Sequence, residues 1–296
     1  MQFPMTNRVL VLGANGMLGG SIFRYLSRYS EYAVHGTVRD ECAKNIINDL
    51  GFDDVVSGID LSKDEELIPV FQDFKPNTVI NCVGIIKQLD DSKVPITSVE
   101  INSLLPHRLA RISSMYGSKL IHFSTDCVFN GERGNYSESD LPDAMDLYGR
   151  SKLLGEVDYM PHLTLRTSII GHGYNGNRSL VDWFLSQKDK VKGFSRAIFS
   201  GLPTIYVSEL ISQFIKNDNL SGIYHIGSTP IDKFSLLNVI KDIYELDIDI
   251  EKDKELIIDR SLNSNKIKNE INFTPPSWSV LVKKMYAEYT EYFYDK

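Results

Sequence analysis

The sequence predicts an α/β fold in which helices cover both faces of a doubly wound parallel sheet, with a smaller C-terminal domain. Over the first 165 residues, short apolar runs alternate with longer segments of helical spacing, which is the pattern of successive βαβ units. The first of these runs leads directly into a turn with a glycine at every third residue. From residue 171 the chain becomes richer in glycine, asparagine, serine and charge, as expected where a second domain begins.

Six apolar runs are predicted as strands of the main sheet because each is short and bounded by polar residues, glycine or proline. A further helix and strand of this sheet are expected at Val207–Lys216 and Ile223–Ile226. The six strands are Arg8–Leu12, Tyr32–Val38, Asp53–Gly58, Thr78–Val83, Lys119–Ser124 and Leu163–Thr167.

Helical spacing of apolar residues predicts the helices that connect these strands. In the segment Ser62–Phe74, Ser62 stands at the N-cap and Glu65 at the position of a capping box. The segment Val99–Tyr116 must accommodate Pro106, which cannot donate a helical hydrogen bond. The predicted helices are Leu18–Tyr29, Ser62–Phe74, Val99–Tyr116, Leu147–Tyr159 and a short one at Ser179–Ser186.

The composition is that of an ordinary globular protein: of 296 residues, 42% are hydrophobic and 24% are charged, which excludes wholesale disorder. With 32 Lys+Arg against 39 Asp+Glu, the net charge of −7 argues against binding to nucleic acid or a membrane surface. We expect a cytoplasmic protein, because no signal-peptide pattern or apolar run of about 20 residues is present. Three cysteines without CxxC spacing and six histidines without ligand spacing predict no disulfide framework and no metal site.

The glycine turn predicts a dinucleotide-binding site. Gly13 permits the tight turn after the first strand, Gly16 lets the backbone approach a pyrophosphate, and Gly19 lets the next helix pack against the strand. The start of that helix presents free N–H groups and the positive end of its dipole to the phosphates. The alternative is that the glycines serve the geometry of the turn alone. The predicted phosphate-binding residues are Gly13, Asn15, Gly16, Met17, Leu18 and Gly19.

The end of the second strand decides between NADP and NAD, because an NAD site has a carboxylate there and an NADP site has a cation. The strand ends in Val38-Arg39, and the Arg39 guanidinium suits the 2′-phosphate of NADP. Asp40 follows directly and keeps NADH open as an alternative cofactor. A solvated loop charge is the other interpretation of Arg39.

Two further segments fit the same cofactor. Asp60 and Leu61 follow the third strand, where the adenine would lie, although Asp60 could equally cap the next helix. Cys82, Val83 and Gly84 close the fourth strand, and Gly84 leaves room for a ribose. Both segments follow the carboxyl ends of strands, where open parallel sheets bind their ligands.

Tyr148 and Lys152 are candidate catalytic residues, because positions i and i+4 share one face of a helix. A nearby ammonium group lowers the pKa of a phenol, so this tyrosine can give a proton to an oxyanion and be recharged. The same ammonium group can bind ribose hydroxyls. Thr125 follows the fifth strand and can hydrogen-bond a substrate carbonyl beside the tyrosine.

Together these motifs resemble the extended short-chain dehydrogenase/reductase family, in particular its dTDP-4-dehydrorhamnose reductase group. The similarity covers nearly the whole chain and is lowest over residues 172–200, which should shape the sugar pocket. It rests on GANGMLG at 13–19, HFSTDCVFNGERGNYSESD at 122–140, LYGRSKLLGE at 147–156, LRTSIIG at 165–171 and DRSLNSNKIKNEINFTPPSW at 259–278.

The resemblance implies a catalytic set in which Tyr148 is the general acid, Lys152 holds the nicotinamide ribose and Thr125 orients the keto oxygen. The implied reaction is the NADPH-dependent reduction of the 4-keto group of a nucleotide-activated deoxy-sugar, in cell-surface polysaccharide synthesis, by a monomer or homodimer. Asn102 is expected either to support this set or to be a helix-surface amide. The predicted substrate-binding residues are Thr125, Asp126, Trp183, Arg196 and Arg260.

The resemblance also implies two domains with interleaved segments. Residues 1–170 plus about 203–228 would form an NADP(H)-binding Rossmann domain. Residues from about 171 to 202 plus 229–296 would form the substrate-binding domain, which holds the nucleotide sugar over the tips of the sheet.

Three other functions stay open. A sugar-nucleotide dehydratase needs a glutamate after Thr125-Asp126, and Cys127 stands there instead. A nucleotide-sugar epimerase keeps NAD tightly bound, and Arg39 argues against NAD. The non-catalytic regulatory subunit of methionine adenosyltransferase resembles the same reductases, so an NADP-binding subunit without turnover is also consistent with the fold.

Overall fold

The computed structural model describes residues 7–29, 31–85, 94–174 and 179–294. Residues 175–178, which belong to the dissimilar stretch 172–200, lie outside the described residues. The strands are β1 (Asn7–Leu12), β2 (Tyr32–Val38), β3 (Val55–Ser57), β4 (Thr78–Asn81), β5 (Lys119–Thr125), β6 (Leu163–Thr167), β7 (Ile169–Ile170), β8 (Lys190–Phe194), β9 (Ala197–Phe199), β10 (Leu202–Pro203), β11 (Gly222–His225), β12 (Ile231–Asp232), β13 (Asp249–Asp253) and β14 (Ile258–Asp259). The helices are α1 (Met17–Ser27), α2 (Glu41–Asn48), α3 (Asp64–Phe74), α4 (Pro95–Ser98), α5 (Leu105–Met115), α6 (Leu147–Leu154), α7 (Leu180–Leu185), α8 (Thr204–Ile215), α9 (Lys233–Ile243), α10 (Asn265–Ile271) and α11 (Trp278–Tyr292).

Seven strands form a parallel central sheet in the order β11-β6-β5-β4-β1-β2-β3. Strand β1 pairs in parallel with β2 on one side and β4 on the other, so the strand order reverses between them. In such sheets, ligands bind beyond the carboxyl ends of the strands at this reversal. The arrangement confirms the predicted doubly wound α/β fold.

Three predicted helices differ in the structure. The predicted helix Leu147–Tyr159 ends already at Leu154. Helix α3 begins at Asp64 after Lys63, without a side-chain cap, so the predicted capping box of Ser62 and Glu65 is wrong. Ser62 lies in the preceding turn, where its N–H and hydroxyl both donate to Asp60 at 3.0 and 2.7 Å.

The predicted helix Val99–Tyr116 is interrupted. Helix α4 is followed by a π-helical segment, Val99–Leu104, before α5 begins. The cause is Pro106, whose ring would clash with the carbonyl of Asn102 four residues earlier in a regular helix. A wider π turn removes that clash, and the Asn102 carbonyl instead faces Gly155, where any side chain would overlap it.

The chain divides into two compact units. Unit 1 comprises Met1–Ser124, Ser151–Thr164 and Ser208–Ile223. Unit 2 comprises Thr125–Arg150, Leu165–Val207 and Tyr224–Lys296. The domain boundaries expected from the sequence remain a prediction.

Unit 1 is built around apolar side chains of the central sheet and of helices α3 and α5. Leu10, Val79 and Leu120 from three strands are fully buried against Phe71 and Leu109 from the helices. Each contributes roughly 1.5–3 kcal/mol relative to an exposed position, which fixes the strands whose carboxyl ends carry the candidate site.

The described part of unit 2 contains three small sheets, in addition to the ends of β6 and β11, which belong to the large sheet. Strand β9 pairs antiparallel with β12 and parallel with β14, β7 pairs with β10, and β8 pairs with β13. Helix α11 buries Trp278, Leu281, Val282 and Met285 within this unit.

Candidate active site

The glycine turn of unit 1 has the geometry that a phosphate-binding loop requires. Gly13 has a φ of +83°, a conformation that side chains rarely adopt, and a Cβ there would lie 2.9 Å from Val83 Cγ2. A Cβ on Gly19 would overlap the Gly13 carbonyl, so Gly19 allows helix α1 to approach β1. Both positions therefore depend on glycine.

The start of helix α1 fits an anion. Its N-cap residue, Gly16, offers no side chain to the first N–H groups, and the first turn contains no acidic residue. Unsatisfied N–H groups at a helix N-terminus bind phosphate. The side chain of Leu18 is buried in the core, so only its backbone is available to a ligand, whereas Asn15 and Met17 are partly exposed.

Arg39 and Asp40 have separate roles at the end of β2. Arg39 is exposed, directly after the strand. The Asp40 carboxylate accepts a hydrogen bond of 2.8 Å from the Ala43 backbone N–H and caps helix α2. That carboxylate is therefore engaged in a local cap, and the contact of Arg39 with a 2′-phosphate remains a prediction.

Asp60 lies in a local network of unit 1. Besides Ser62, it pairs with Lys63 at 3.2 Å, and the hydrogen bonds from Ser62 hold the pKa of its carboxyl below the usual value. Asp60 does not cap a helix, because it closes the turn that precedes α3. Leu61 packs partly against the core of the unit.

Hydrogen bonds of Asn81 to Val83 and to His122 fix the loop after β4. Asn81 Oδ1 accepts from the Val83 N–H at 3.1 Å, and Asn81 Nδ2 lies 3.1 Å from Nδ1 of the buried His122. Burial raises the pKa of the Cys82 thiol, which therefore stays protonated. A Cβ on Gly84 would lie 3.8 Å from Lys152 Nζ, which places the two residues on the same part of the unit.

Lys152 is buried in unit 1 and firmly held. Its Nζ donates to the Phe123 carbonyl at 2.6 Å. Burial lowers the pKa of Lys152 to about 8, while the charge of Glu156 is the largest opposing influence. The carboxylate of Glu156 in turn accepts a 2.6 Å hydrogen bond from Ser124.

Asn102 supports the same region of unit 1. Its Oδ1 accepts from the Ile85 N–H at 2.9 Å, and its Nδ2 donates to the Ile85 carbonyl and the Ser151 hydroxyl, both at 3.1 Å. The side chain is 1% exposed. The alternative of a helix-surface amide is wrong, because the interrupted helix turns Asn102 inward.

Thr125 and Tyr148 meet in unit 2, where a side-chain hydrogen bond joins them. Burial raises the pKa of Tyr148, and the neighbouring Cys127, Asp126 and Asp146 add to this effect. The expected lowering of the Tyr148 pKa by an ammonium group is therefore wrong for this structure. A phenol that keeps its proton is the form that a general acid needs.

Asp126 stands beside this pair and is nearly buried. It accepts from the Thr125 hydroxyl at 3.2 Å, and burial raises its pKa against the opposing charges of Arg260 and Lys233. The Arg260 guanidinium donates to the Phe129 carbonyl at 2.8 Å and to the Asn130 carbonyl at 3.3 Å. The structure thus brings Arg260 to the turn after β5.

Trp183 and Arg196 are not brought to this turn by any contact within the described part of unit 2. The Trp183 ring lies near Phe184, and its carbonyl accepts from Ser186 and Gln187. Arg196 is exposed in the turn between β8 and β9. Their predicted contacts with substrate remain predictions.

Sequence reasoning missed Glu156, His122 and Lys233. Glu156 closes the same LYGRSKLLGE segment that contains Lys152, and His122 opens the segment that contains Thr125. Lys233 stands in a segment without any motif. Only the structure brings its charge within electrostatic reach of Asp126 and Cys127.

No helix within the described ranges has the length and apolar character to cross a membrane. Over the same residues, no group of three histidine, cysteine or acidic side chains is arranged to hold a metal ion.

One protein family, two related proteins and one solved structure show informative similarity to this chain. The family described as RmlD substrate binding domain matches residues 7–291. Agl14 of Haloferax volcanii, a probable low-salt glycan biosynthesis reductase, is 33% identical over 238 residues, which are 75% of this chain and 76% of that protein. The methionine adenosyltransferase 2 subunit beta of Rattus norvegicus is 28% identical over 151 residues, and the matched part is 51% of this chain and only 42% of that protein. A solved structure of a Bacillus anthracis dTDP-4-dehydrorhamnose reductase in complex with NADP has a TM-score of 0.79 at 22% identity, over 95% of this chain and 99% of that one.

Proposed function

Because this chain belongs to the RmlD substrate binding domain family, as its motifs indicated, we propose that it reduces the 4-keto group of a nucleotide-activated deoxy-sugar with NADPH. Family membership and the reductase among its relatives make it an oxidoreductase acting on nucleotide-linked sugars. Agl14 is named for glycan biosynthesis, which supports a place in the synthesis of cell-surface polysaccharide.

The cofactor fits the residues of unit 1. The Gly13–Gly19 turn and the uncapped start of helix α1 would hold the pyrophosphate, Arg39 the 2′-phosphate, and Gly84 and Lys152 the nicotinamide ribose. When bound, NADPH supplies the hydride. The structural neighbour in complex with NADP supports the choice of cofactor.

The protein supplies the proton and the orientation. Tyr148 donates its phenolic proton to the oxygen that becomes the new hydroxyl group, while Thr125 donates a hydrogen bond that orients the keto oxygen. Tyr148 is held protonated by burial, so the acid is ready at neutral pH. Lys152, with its pKa at about 8, is mostly charged at pH 7, which is the form that would donate to the hydroxyls of the nicotinamide ribose.

The observation that carries this proposal is the hydrogen bond between Thr125 and a protonated Tyr148, with the buried Lys152 one turn further along helix α6. A dehydratase is disfavoured because Cys127 stands where its glutamate would be. A regulatory subunit without turnover is the second candidate, favoured by the similarity of half the chain to methionine adenosyltransferase 2 subunit beta.

The test is the absorbance of NADPH at 340 nm with purified protein and 4-keto-6-deoxy sugars on dTDP, UDP and GDP. Oxidation of NADPH with one of these substrates is the expected result, and the same plate with NADH examines the role of Arg39. NADPH binding without oxidation across the panel, together with a tight complex with methionine adenosyltransferase, would favour the subunit instead.

A further inference from the structure

Lys233 occupies an unfavourable position in unit 2. It is the first residue of helix α9, after the capping Asp232. A cation in the first turn of a helix is opposed by the positive end of the helix dipole. The side chain is also partly buried, and burial lowers the pKa of its ammonium group.

The structure offers this ammonium group little compensation. It lies 4.5 Å from the centre of the Phe199 ring and interacts electrostatically with Asp126 and Cys127. Among the residues that the structure describes, it forms neither an ion pair nor a hydrogen bond. A partly buried cation whose donors find no acceptor among the described residues is unfavourable, and proteins tolerate such positions chiefly at functional sites.

The neighbouring cation is already occupied. The Arg260 guanidinium donates hydrogen bonds to the carbonyls of Phe129 and Asn130 and to Cys127 Sγ, the last at 3.6 Å. Lys233 is therefore the cation that interacts electrostatically with Asp126 and still has donors without an acceptor among the described residues.

Lys233 and Asp126 together favour a sugar hydroxyl over a phosphate as the ligand group. A sugar hydroxyl can accept a hydrogen bond from Lys233 and at the same time donate one to the Asp126 carboxylate. A diphosphate has no proton to donate and would meet the negative charge of Asp126 in the same place. Because Lys233 and Asp126 interact without forming an ion pair, the arrangement suits an oxygen that bridges them.

We propose that Lys233 is a specificity residue, which donates a hydrogen bond to a hydroxyl of the substrate sugar next to the carbonyl group that Thr125 orients. This inference rests on the proposed function. The substrate class is then a nucleotide-linked sugar that retains a hydroxyl beside its reacting carbon, and a sugar lacking that hydroxyl is a poor ligand.

The test compares the binding of dTDP-rhamnose and of dTDP alone by calorimetry, with NADPH present. No turnover occurs in this mixture, because the sugar already has its hydroxyl group and the reduced cofactor cannot accept a hydride. In the wild type, the attached sugar should strengthen binding. Lys233→Met keeps a side chain of similar length and removes the hydrogen-bond donors. The variant should bind dTDP-rhamnose at least roughly tenfold more weakly, which corresponds to the loss of one charge-assisted hydrogen bond. Its affinity for dTDP should be unchanged. Lys233→Arg should recover part of the loss.

Lys252→Met is the matched control, since Lys252 is an exposed lysine whose Nζ lies 5.4 Å from the centre of the Phe234 ring. It should change neither affinity. Equal weakening of both ligands in Lys233→Met would place the contact on the phosphates or the fold and overturn the inference. An unchanged affinity for dTDP-rhamnose, or a wild type that gains nothing from the sugar, would overturn it too.

This experiment separates the inference from the proposed reaction. A wild type that binds dTDP-rhamnose more tightly than dTDP and depends on Lys233, but never oxidises NADPH, would contradict the reductase and support the role of Lys233. If the wild type oxidises NADPH, and Lys233→Met changes neither this rate nor the affinity for the sugar, the reductase is supported and the role of Lys233 is contradicted.

Discussion

The charge of Glu156 should set the alkaline limit of the reaction. Its carboxylate is buried, accepts a hydrogen bond of 2.6 Å from Ser124, and is the largest influence holding up the pKa of Lys152. Burial has already brought the Lys152 pKa down to about 8. Glu156→Gln removes the charge and retains an oxygen that accepts from Ser124.

The size of the effect follows from the titration of Lys152. A nearby opposite charge commonly shifts a pKa by about 1 to 3 units, so Glu156→Gln should lower the Lys152 pKa by at least about one unit. Lys152 is active as the charged form, which is lost as the pH rises through its pKa. The alkaline limb of kcat/KM should therefore move down by about one pH unit, with about a fivefold loss at pH 8 and little change at pH 6.

The assay is the pH profile of NADPH oxidation between pH 5.5 and about 9.5 for the wild type and Glu156→Gln. Ser124→Ala is the control, because it removes the hydrogen bond and leaves the charge, so its alkaline limb should stay in place. A Glu156→Gln profile that superimposes on the wild type, or that falls equally at every pH, would refute the electrostatic role of Glu156.

Two further variants test the cofactor choice and the support of the site. Arg39→Ala should weaken NADPH binding by roughly 10- to 100-fold, because a charge-assisted hydrogen bond to the 2′-phosphate is lost. NADH lacks this phosphate, so its affinity should be unchanged. Fluorescence titration measures both affinities, and an equal loss for NADH would contradict the 2′-phosphate contact. Asn102→Ala should lower the free energy of unfolding by about 2 to 4 kcal/mol, because the Ile85 N–H and carbonyl lose their partners. Urea denaturation measures this change, and Asn45→Ala, at an exposed asparagine, is the control. An unchanged midpoint for Asn102→Ala would show that the buried amide does not stabilise the fold.

The positions of the strands along the chain and the position of the glycine turn were predictable because they rest on local signals. Alternating apolar runs mark βαβ units, and Gly13 and Gly19 are required by the backbone itself. Family membership was likewise predictable, since the motifs around Thr125 and Tyr148 extend over many residues.

Features that depend on contacts distant in the sequence were not predictable. Pro106 indicated a disturbance of its helix, but neither the π-helical form of that disturbance nor the inward direction of Asn102 could be read from the sequence. The raised pKa of Tyr148 follows from burial, which the spacing of tyrosine and lysine does not reveal. Lys233 lies more than a hundred residues from Asp126 in the sequence, so no local pattern could connect them.

The most direct test of the central claim compares the wild type with Tyr148→Phe, using NADPH and the 4-keto-6-deoxy sugar that the wild type prefers. The account predicts that Tyr148→Phe binds NADPH normally but loses at least about a hundredfold in kcat, the usual worth of general acid catalysis. Tyr159→Phe, which removes the hydroxyl of a half-exposed tyrosine, should keep full activity. Undiminished oxidation of NADPH by Tyr148→Phe would contradict the account.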